Sequence, residues 1–183
     1  MQNNFDKCIA LVLKSEGGFT DNPKDPGNHL EDGRLGCTNL GVTQAAWEAF
    51  VGHKVSSADM KALTPETVSP FYKAKYWMAS YANQLPVGVD YLLLDASINM
   101  GVGRAVKLLQ ECLGCVPDGT IGPRTMQLID QKKPEDIVDL YSKRKTSFYE
   151  GLATFATFGK GWLKRVEDVK FNALKMIGEA NGN

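Results

Sequence analysis

Apolar and polar positions recur at helical spacing along most of the chain, and nowhere do they alternate with period two over a useful length. In the first such segment, residues 3–16, the side chains of Phe5, Ile9 and Val12 share one helix face. Glu16 continues that stripe at its C-terminal end, with Gly17 and Gly18 directly after it as the expected helix stop in the left-handed cap conformation. A loop rich in Gly, Asp, Asn and Pro follows from Gly17 to Gly41, long enough for a compact domain to suggest a functional role. Helical spacing returns over Thr43 to Phe50. It returns again from Thr64-Pro65-Glu66, where an N-cap residue, a first-position proline and a first-turn acid open a helix expected to reach Trp77.

Asp90 to Met100 is apolar nearly all round, as expected of a central helix. Gly101 and Gly103 interrupt the pattern before Arg104 to Leu113 resumes it, and the turn signal Asp118 to Pro123 leads into a further helix over Arg124 to Gln131. Pro134 then opens a long helix through Phe148. Phe158-Gly159-Lys160-Gly161 is expected to break it, with a last helix beginning near Trp162. Together these elements predict an all-α fold, and no internal repeat or low-complexity tract complicates it.

Composition changes this picture little. The 183 residues can bury a sizeable core without disulfides or metals, and 21 basic residues balance 21 acidic ones, so net charge points to neither a nucleic-acid binder nor an acidic tail. Residues 141–175 are locally basic, with eight Lys or Arg against three acids, which reads as a solvated helix face or a weak footprint for an anionic polymer. Two histidines without a metal-binding spacing argue against a zinc peptidase, and the single Cys112-x-x-Cys115 lacks the second pair of a zinc site. The residue types thus imply no cofactor and no metal. Cys8 and Cys37 are left as either free thiols or a disulfide pair. No basic stretch followed by an apolar run opens the chain and no segment is long enough to span a bilayer, so synthesis in the cytoplasm without a Sec signal is expected.

Chemistry concentrates at the end of the first helix. A carboxyl at a helix C-terminus, flanked by apolar neighbours, sits where the helix dipole and desolvation both disfavour the charged form, which suits a general acid. Glycosidic cleavage needs such an acid and usually a second group to activate water or stabilise the oxocarbenium ion. Asp25, nine residues on, is the candidate for that role, with Thr38 and Thr43 as further polar groups; Asp21, Glu31 and Asp32 compete with it. Phe19, Trp47, Tyr72, Tyr76 and Trp77 are candidates to stack on sugar rings. Tyr76 and Trp77 are adjacent, so one is expected in the core and the other in a groove.

The runs Glu16-Gly17-Gly18-Phe19, Asp25-Pro26-Gly27, Thr38-Asn39-Leu40-Gly41-Val42-Thr43, Tyr76-Trp77 and Asp95-Ala96-Ser97-Ile98-Asn99-Met100-Gly101 resemble the glycoside hydrolase family 108 muramidases. Leu108-Leu109-Gln110 to Leu113-Gly114 and Asp118-Gly119-Thr120-Ile121-Gly122-Pro123-Arg124-Thr125 resemble the peptidoglycan-binding region that accompanies them. The resemblance implies a lysozyme-like helical catalytic region over 1–92 and a helical peptidoglycan-binding region over 93–178, forming one compact unit. It also implies cleavage of the β-1,4 bond between N-acetylmuramic acid and N-acetylglucosamine, with Glu16 as catalytic acid. On the reading of the residues themselves, Asp25, Thr38 and Thr43 are expected to share in catalysis, and Phe19, Tyr76, Trp77 and Asn99 to bind the glycan. Family members act on bacterial peptidoglycan in the periplasm or wall as endolysins or secretion activators, and a holin-like export partner fits the absence of a Sec signal. The expectation includes no nucleic-acid partner and no stable membrane insertion; the rival reading is a non-catalytic wall-binding protein that assists secretion. One departure stands out: Asn28 to Cys37 is interposed where the family runs from Gly27 almost directly into the Thr38 stretch.

Overall fold

The computed structural model describes residues 4–182, so Met1 to Asn3 and Asn183 lie outside the described residues. Helices dominate, as the periodicity predicts, and they divide between two compact units: Asp6–Lys75, and Tyr76 onward together with the residues up to Phe5. The expected boundary after residue 92 falls inside a helix of the second unit.

In the first unit, helix α1 (Phe5–Ser15) buries Cys8, Ile9 and Val12. The expected helix began at residue 3, which lies outside the described residues. It ends one residue before Glu16, and neither Gly17 nor Gly18 takes the left-handed backbone expected of a cap. The all-α reading also misses a small antiparallel hairpin of β1 (Thr38–Asn39) and β2 (Val42–Thr43), too short for any alternation to register. Its two-residue turn places both Leu40 (φ 49°) and Gly41 (φ 75°) in the left-handed region, as a type I′ turn requires. Thr43 then caps α2 (Gln44–Val51), its hydroxyl accepting from the Ala46 amide at 3.3 Å. A short helix α3 (Ser57–Lys61), closed by a Ser56/Asp59 capping box, went unpredicted. α4 (Pro65–Tyr72) starts where the Thr64-Pro65 signal places it and runs into a π-helical turn, Lys73–Met78.

In the second unit, α5 (Val89–Met100) is buried from Val89 through Ser97 and packs with α6 (Val102–Leu113), α8 (Pro134–Glu150) and α9 (Phe155–Ala180). Between α6 and α7 (Pro123–Asp130), the Asp118 to Thr125 motif is held by Gln110, itself 1% exposed. Its amide donates to Asp118 Oδ1 at 2.8 Å and Thr120 O at 2.9 Å and accepts from the Gly119 amide at 2.8 Å. That stretch is therefore a structural clamp. α9 runs unbroken through Gly159 and Gly161, against the expected break: Gly159 is buried, and the Phe155 ring lies 2.5 Å from where its Cβ would be, so the glycine serves packing.

Asp95, 1% exposed, is the polar centre of this unit. It accepts from Lys145 Nζ at 2.9 Å and from Arg165 at 2.9 Å, tying α5 to α8 and α9. None of the four cysteines is in a disulfide, so Cys8 and Cys37 are not bridged, and burial pushes the Cys37 thiol pKa upward. Among the described residues no helix is long and apolar enough to cross a membrane.

Candidate active site

The stretch leaving α1 is pinned to the hairpin. Thr20 and Thr38 exchange two backbone hydrogen bonds of 2.8 Å, which carries Glu16 across the turn between β1 and β2. A Cβ built on Gly41 would lie 2.7 Å from Glu16 Oε2 and 2.7 Å from the Tyr72 hydroxyl. Only glycine admits that approach, and it is also the residue that takes φ 75° without strain. Tyr72, 1% exposed, donates its hydroxyl to the Leu40 carbonyl at 2.7 Å and so braces the turn beneath the carboxylate. Leu40 is one of two non-glycine residues with positive φ among the described residues, and its strained backbone lies directly at this site. Beside the half-buried Glu16, Gly17 and Gly18 leave open space: a Cβ on either would meet nothing within 4 Å.

Asp25 meets the same hairpin at its base. It caps the 3-10 turn Pro26–Asn28, its Oδ1 accepting from the Gly27 amide at 2.9 Å. A Cβ on Gly27 would lie 3.3 Å from that oxygen and 3.2 Å from Thr43 Cγ2, so Asp25 and Thr43 converge across a second glycine. Thr43 is the register partner of Thr38. The Thr38 hydroxyl donates to Oδ1 of Asn28 at 2.9 Å, and Asn28, fully buried, donates to the Asn22 carbonyl at 3.0 Å. Thus Glu16, Asp25, Thr38 and Thr43 all gather on one hairpin within the first unit. Thr38 and Thr43 have their hydroxyls engaged in holding the loop and capping α2, while the carboxylates of Glu16 and Asp25 address its tip and base.

The residues between Asn28 and Cys37 fold back on themselves, with Leu30 donating to the Arg34 carbonyl at 3.0 Å and His29 bridged to Leu35. Arg34 then binds Glu48 of α2 through two hydrogen bonds, 3.0 and 2.7 Å, and Asp32 at 2.8 Å. The Arg34 bonds, ahead of the Val55 amide, hold the Glu48 carboxyl down to about 2, while Lys54, 2.8 Å away, and then Arg34 keep Asp32 well below the usual carboxylate range. The insertion is anchored on α2 and returns the chain to Thr38.

Of the residues expected to bind glycan, Phe19 is half-buried with Lys61 Nζ 4.6 Å from its ring centre. Trp77 is a correction: at 2% exposure it packs edge-on against Phe5, centroids 5.4 Å apart, and presents no ring face to a sugar. Its neighbour Tyr76 is half-buried, and Asn99 is exposed at the end of α5, where its amide donates to the Asp95 carbonyl at 2.6 Å. Gly41 and Asn28 carry the site's geometry without having been assigned a role in it, and Tyr72, a candidate to stack on sugar, is buried and braces the turn instead. The Asn39-Leu40-Gly41-Val42 turn signal was the one local clue to them.

No curated protein matches the chain. A solved structure of SagA from Brucella abortus superposes with a TM-score of 0.80 and 39% sequence identity, covering 96% of this chain and 97% of that one. The model of a predicted peptidoglycan domain matches residues 104–167, and that of glycosyl hydrolase 108 matches residues 9–101, a span holding Glu16, Asp25 and the hairpin between them. The chain belongs to the glycosyl hydrolase 108 family, with a peptidoglycan domain following the hydrolase segment.

Proposed function

We propose that the protein is an N-acetylmuramidase that cleaves the β-1,4 bond between N-acetylmuramic acid and N-acetylglucosamine in peptidoglycan, with Glu16 as general acid. The observation that carries this reading is the seating of the Glu16 carboxylate against Gly41 and Tyr72, on the hairpin whose base receives Asp25 and Thr43. Glu16 protonates the glycosidic oxygen as the bond breaks. Asp25, oriented by the Gly27 amide, accepts a proton from the attacking water or stabilises the oxocarbenium-like transition state. Thr38 and Thr43 hold the two carboxylates in register, and the open flank at Gly17 and Gly18 leaves room for the sugar, with Phe19 beside it. Peptidoglycan lies outside the cytoplasmic membrane, so the enzyme acts in the periplasm or wall, reached through a holin-type release.

Digestion of purified peptidoglycan by wild type and Glu16→Gln, followed by product analysis, tests this. Wild type is expected to release new reducing ends that borohydride converts to muramitol, and the folded mutant to lose about 10²-fold or more of that rate. Comparable release by Glu16→Gln removes the assignment. New amino groups in place of reducing ends would identify an amidase or peptidase, and wall binding without either product would identify a non-catalytic binder.

A further inference from the structure

A cavity of about 200 Å³ opens in the second unit between the ends of α5 and α6 and the facing sides of α8 and α9. Its lining includes Asn99, Arg104, Phe148, Tyr149, Trp162 and Arg165. Among the described residues its lining holds no acidic side chain. Arg104 is exposed and stands over the Phe148 ring, its guanidinium carbon 5.3 Å from the centroid. Stacking of that kind holds the plane of the guanidinium and leaves its N–H edge to bind a carboxylate through two parallel hydrogen bonds. Arg165, the second cation, is fixed by the buried Asp95, which also binds Lys145. The charged side chains of the lining, Arg104 and Arg165, are both cations, which favours an anionic group at its mouth. In the same lining, Tyr149 and Trp162 stack with centroids 5.0 Å apart, and Phe158, 54% exposed, extends the row at 5.7 Å from Trp162. Aromatic surface beside a cationic fork suits a ligand with an apolar sugar face and a carboxylate.

We propose that this cavity is a binding subsite for the carboxylate-bearing muramyl part of peptidoglycan, with Arg104 taking the carboxylate and the Trp162 side taking the sugar. Apart from Asn99, the six residues fall within the segment matched by the peptidoglycan domain, for which they supply a ligand chemistry. The inference rests on the reading of peptidoglycan as substrate, but it concerns binding and leaves the bond cleaved at Glu16 aside. The carboxylate has two sources, the lactyl group of peptide-free muramic acid and the stem peptide.

The test is calorimetric titration of the full chain carrying Glu16→Gln, which consumes no ligand. The probes are N-acetylmuramic acid, N-acetylmuramyl dipeptide and tri-N-acetylchitotriose, which has no carboxylate. Arg104→Gln, added to that background, is expected to weaken the carboxylate ligands about tenfold or more, with Arg104→Lys recovering part of the loss and chitotriose binding unchanged. Tighter binding of the dipeptide assigns the stem-peptide carboxylate, and tighter binding of the free acid assigns the lactyl group. Equal affinity with and without Arg104, or no binding of either carboxylate ligand, overturns the proposal. Reducing-end release by the wild-type protein is measured separately, so failure of the subsite and failure of the muramidase reading are told apart.

Discussion

Alanine at position 41 would bring a methyl carbon within 2.7 Å of Glu16 Oε2 and force a side chain into a left-handed backbone at φ 75°. The backbone conformation alone costs about 1–2 kcal/mol, and the clash must displace either the carboxylate or the turn. Gly41→Ala is therefore expected to lower kcat on peptidoglycan far more than its modest loss of thermal stability would, and paired melting and turnover measurements separate the two effects. Removing the Tyr72 hydroxyl leaves the Leu40 carbonyl without that donor, so Tyr72→Phe should lower stability by about 1–3 kcal/mol in denaturant titration. Asp25→Asn keeps an oxygen to accept from Gly27 but loses the charge. A drop in turnover of about 10²-fold or more with an unchanged unfolding midpoint is the expected signature of a catalytic carboxylate.

The hairpin is a small element, two strands of two residues each, and it is the one on which the candidate site is assembled. Its turn, the Thr20–Thr38 bridge and the cap at Thr43 join three segments that are far apart in periodicity terms: a helix end, an acidic loop and the start of α2. The stretch from Asn28 to Cys37 leaves this junction intact because Arg34 fastens it to Glu48, which also accepts from the Val55 amide at 3.0 Å. Glu48 has a folded pKa of about 2 against an ordinary 4.5, so its contribution to stability is fully present above about pH 4.5 and is lost as pH falls toward 2. Thermal melts should therefore separate wild type from Arg34→Met at neutral pH, with the gap closing across that window. A gap that stays constant to pH 2 would show that the ion pair contributes nothing. α9 shows how packing overrides local propensity: the helix packs along α8 and continues through two glycines that weaken a helix in isolation, the buried Gly159, where the Phe155 ring leaves no room for a Cβ, and the exposed Gly161.

At the scale of the whole molecule, family and packing boundaries differ. The hydrolase match extends to residue 101, whereas α5 packs with the helices of the peptidoglycan domain and belongs to the unit that begins at Tyr76. An all-round apolar helix needs partners on every side, and α6, α8 and α9 provide them. Asp95, Lys145 and Arg165 lock that arrangement at one buried point. Asp95→Asn leaves Lys145, 3% exposed, without its anion, and unfolding in denaturant should show a loss of about 3–5 kcal/mol. Replacing the two most buried partners together, Asp95→Leu with Lys145→Met, removes the buried Lys145 charge and leaves only the 23%-exposed Arg165 to be solvated, so it is expected to recover part of that loss.

Most helix positions, the place of Glu16 at a helix end and the membership of the family were legible in the residues, because each depends on periodicity, capping chemistry or contiguous motifs; the short α3 and the unbroken α9 were not. The convergence of Glu16 with Gly41 and Tyr72, and of Asp25 with Thr43, was not, because it depends on a two-residue strand pair joining segments tens of residues apart. Tyr76 and Trp77 make the same point: adjacency required opposite directions, but only packing against Phe5 decided that Trp77 is the buried one. The charged cavity between α5, α6, α8 and α9 likewise has no local signature, since Arg104, Phe148 and Trp162 meet only once the helices are packed. Local spacing specifies which face of an element is apolar; which distant faces meet, and so which side chains share a site, is decided by how those faces are buried.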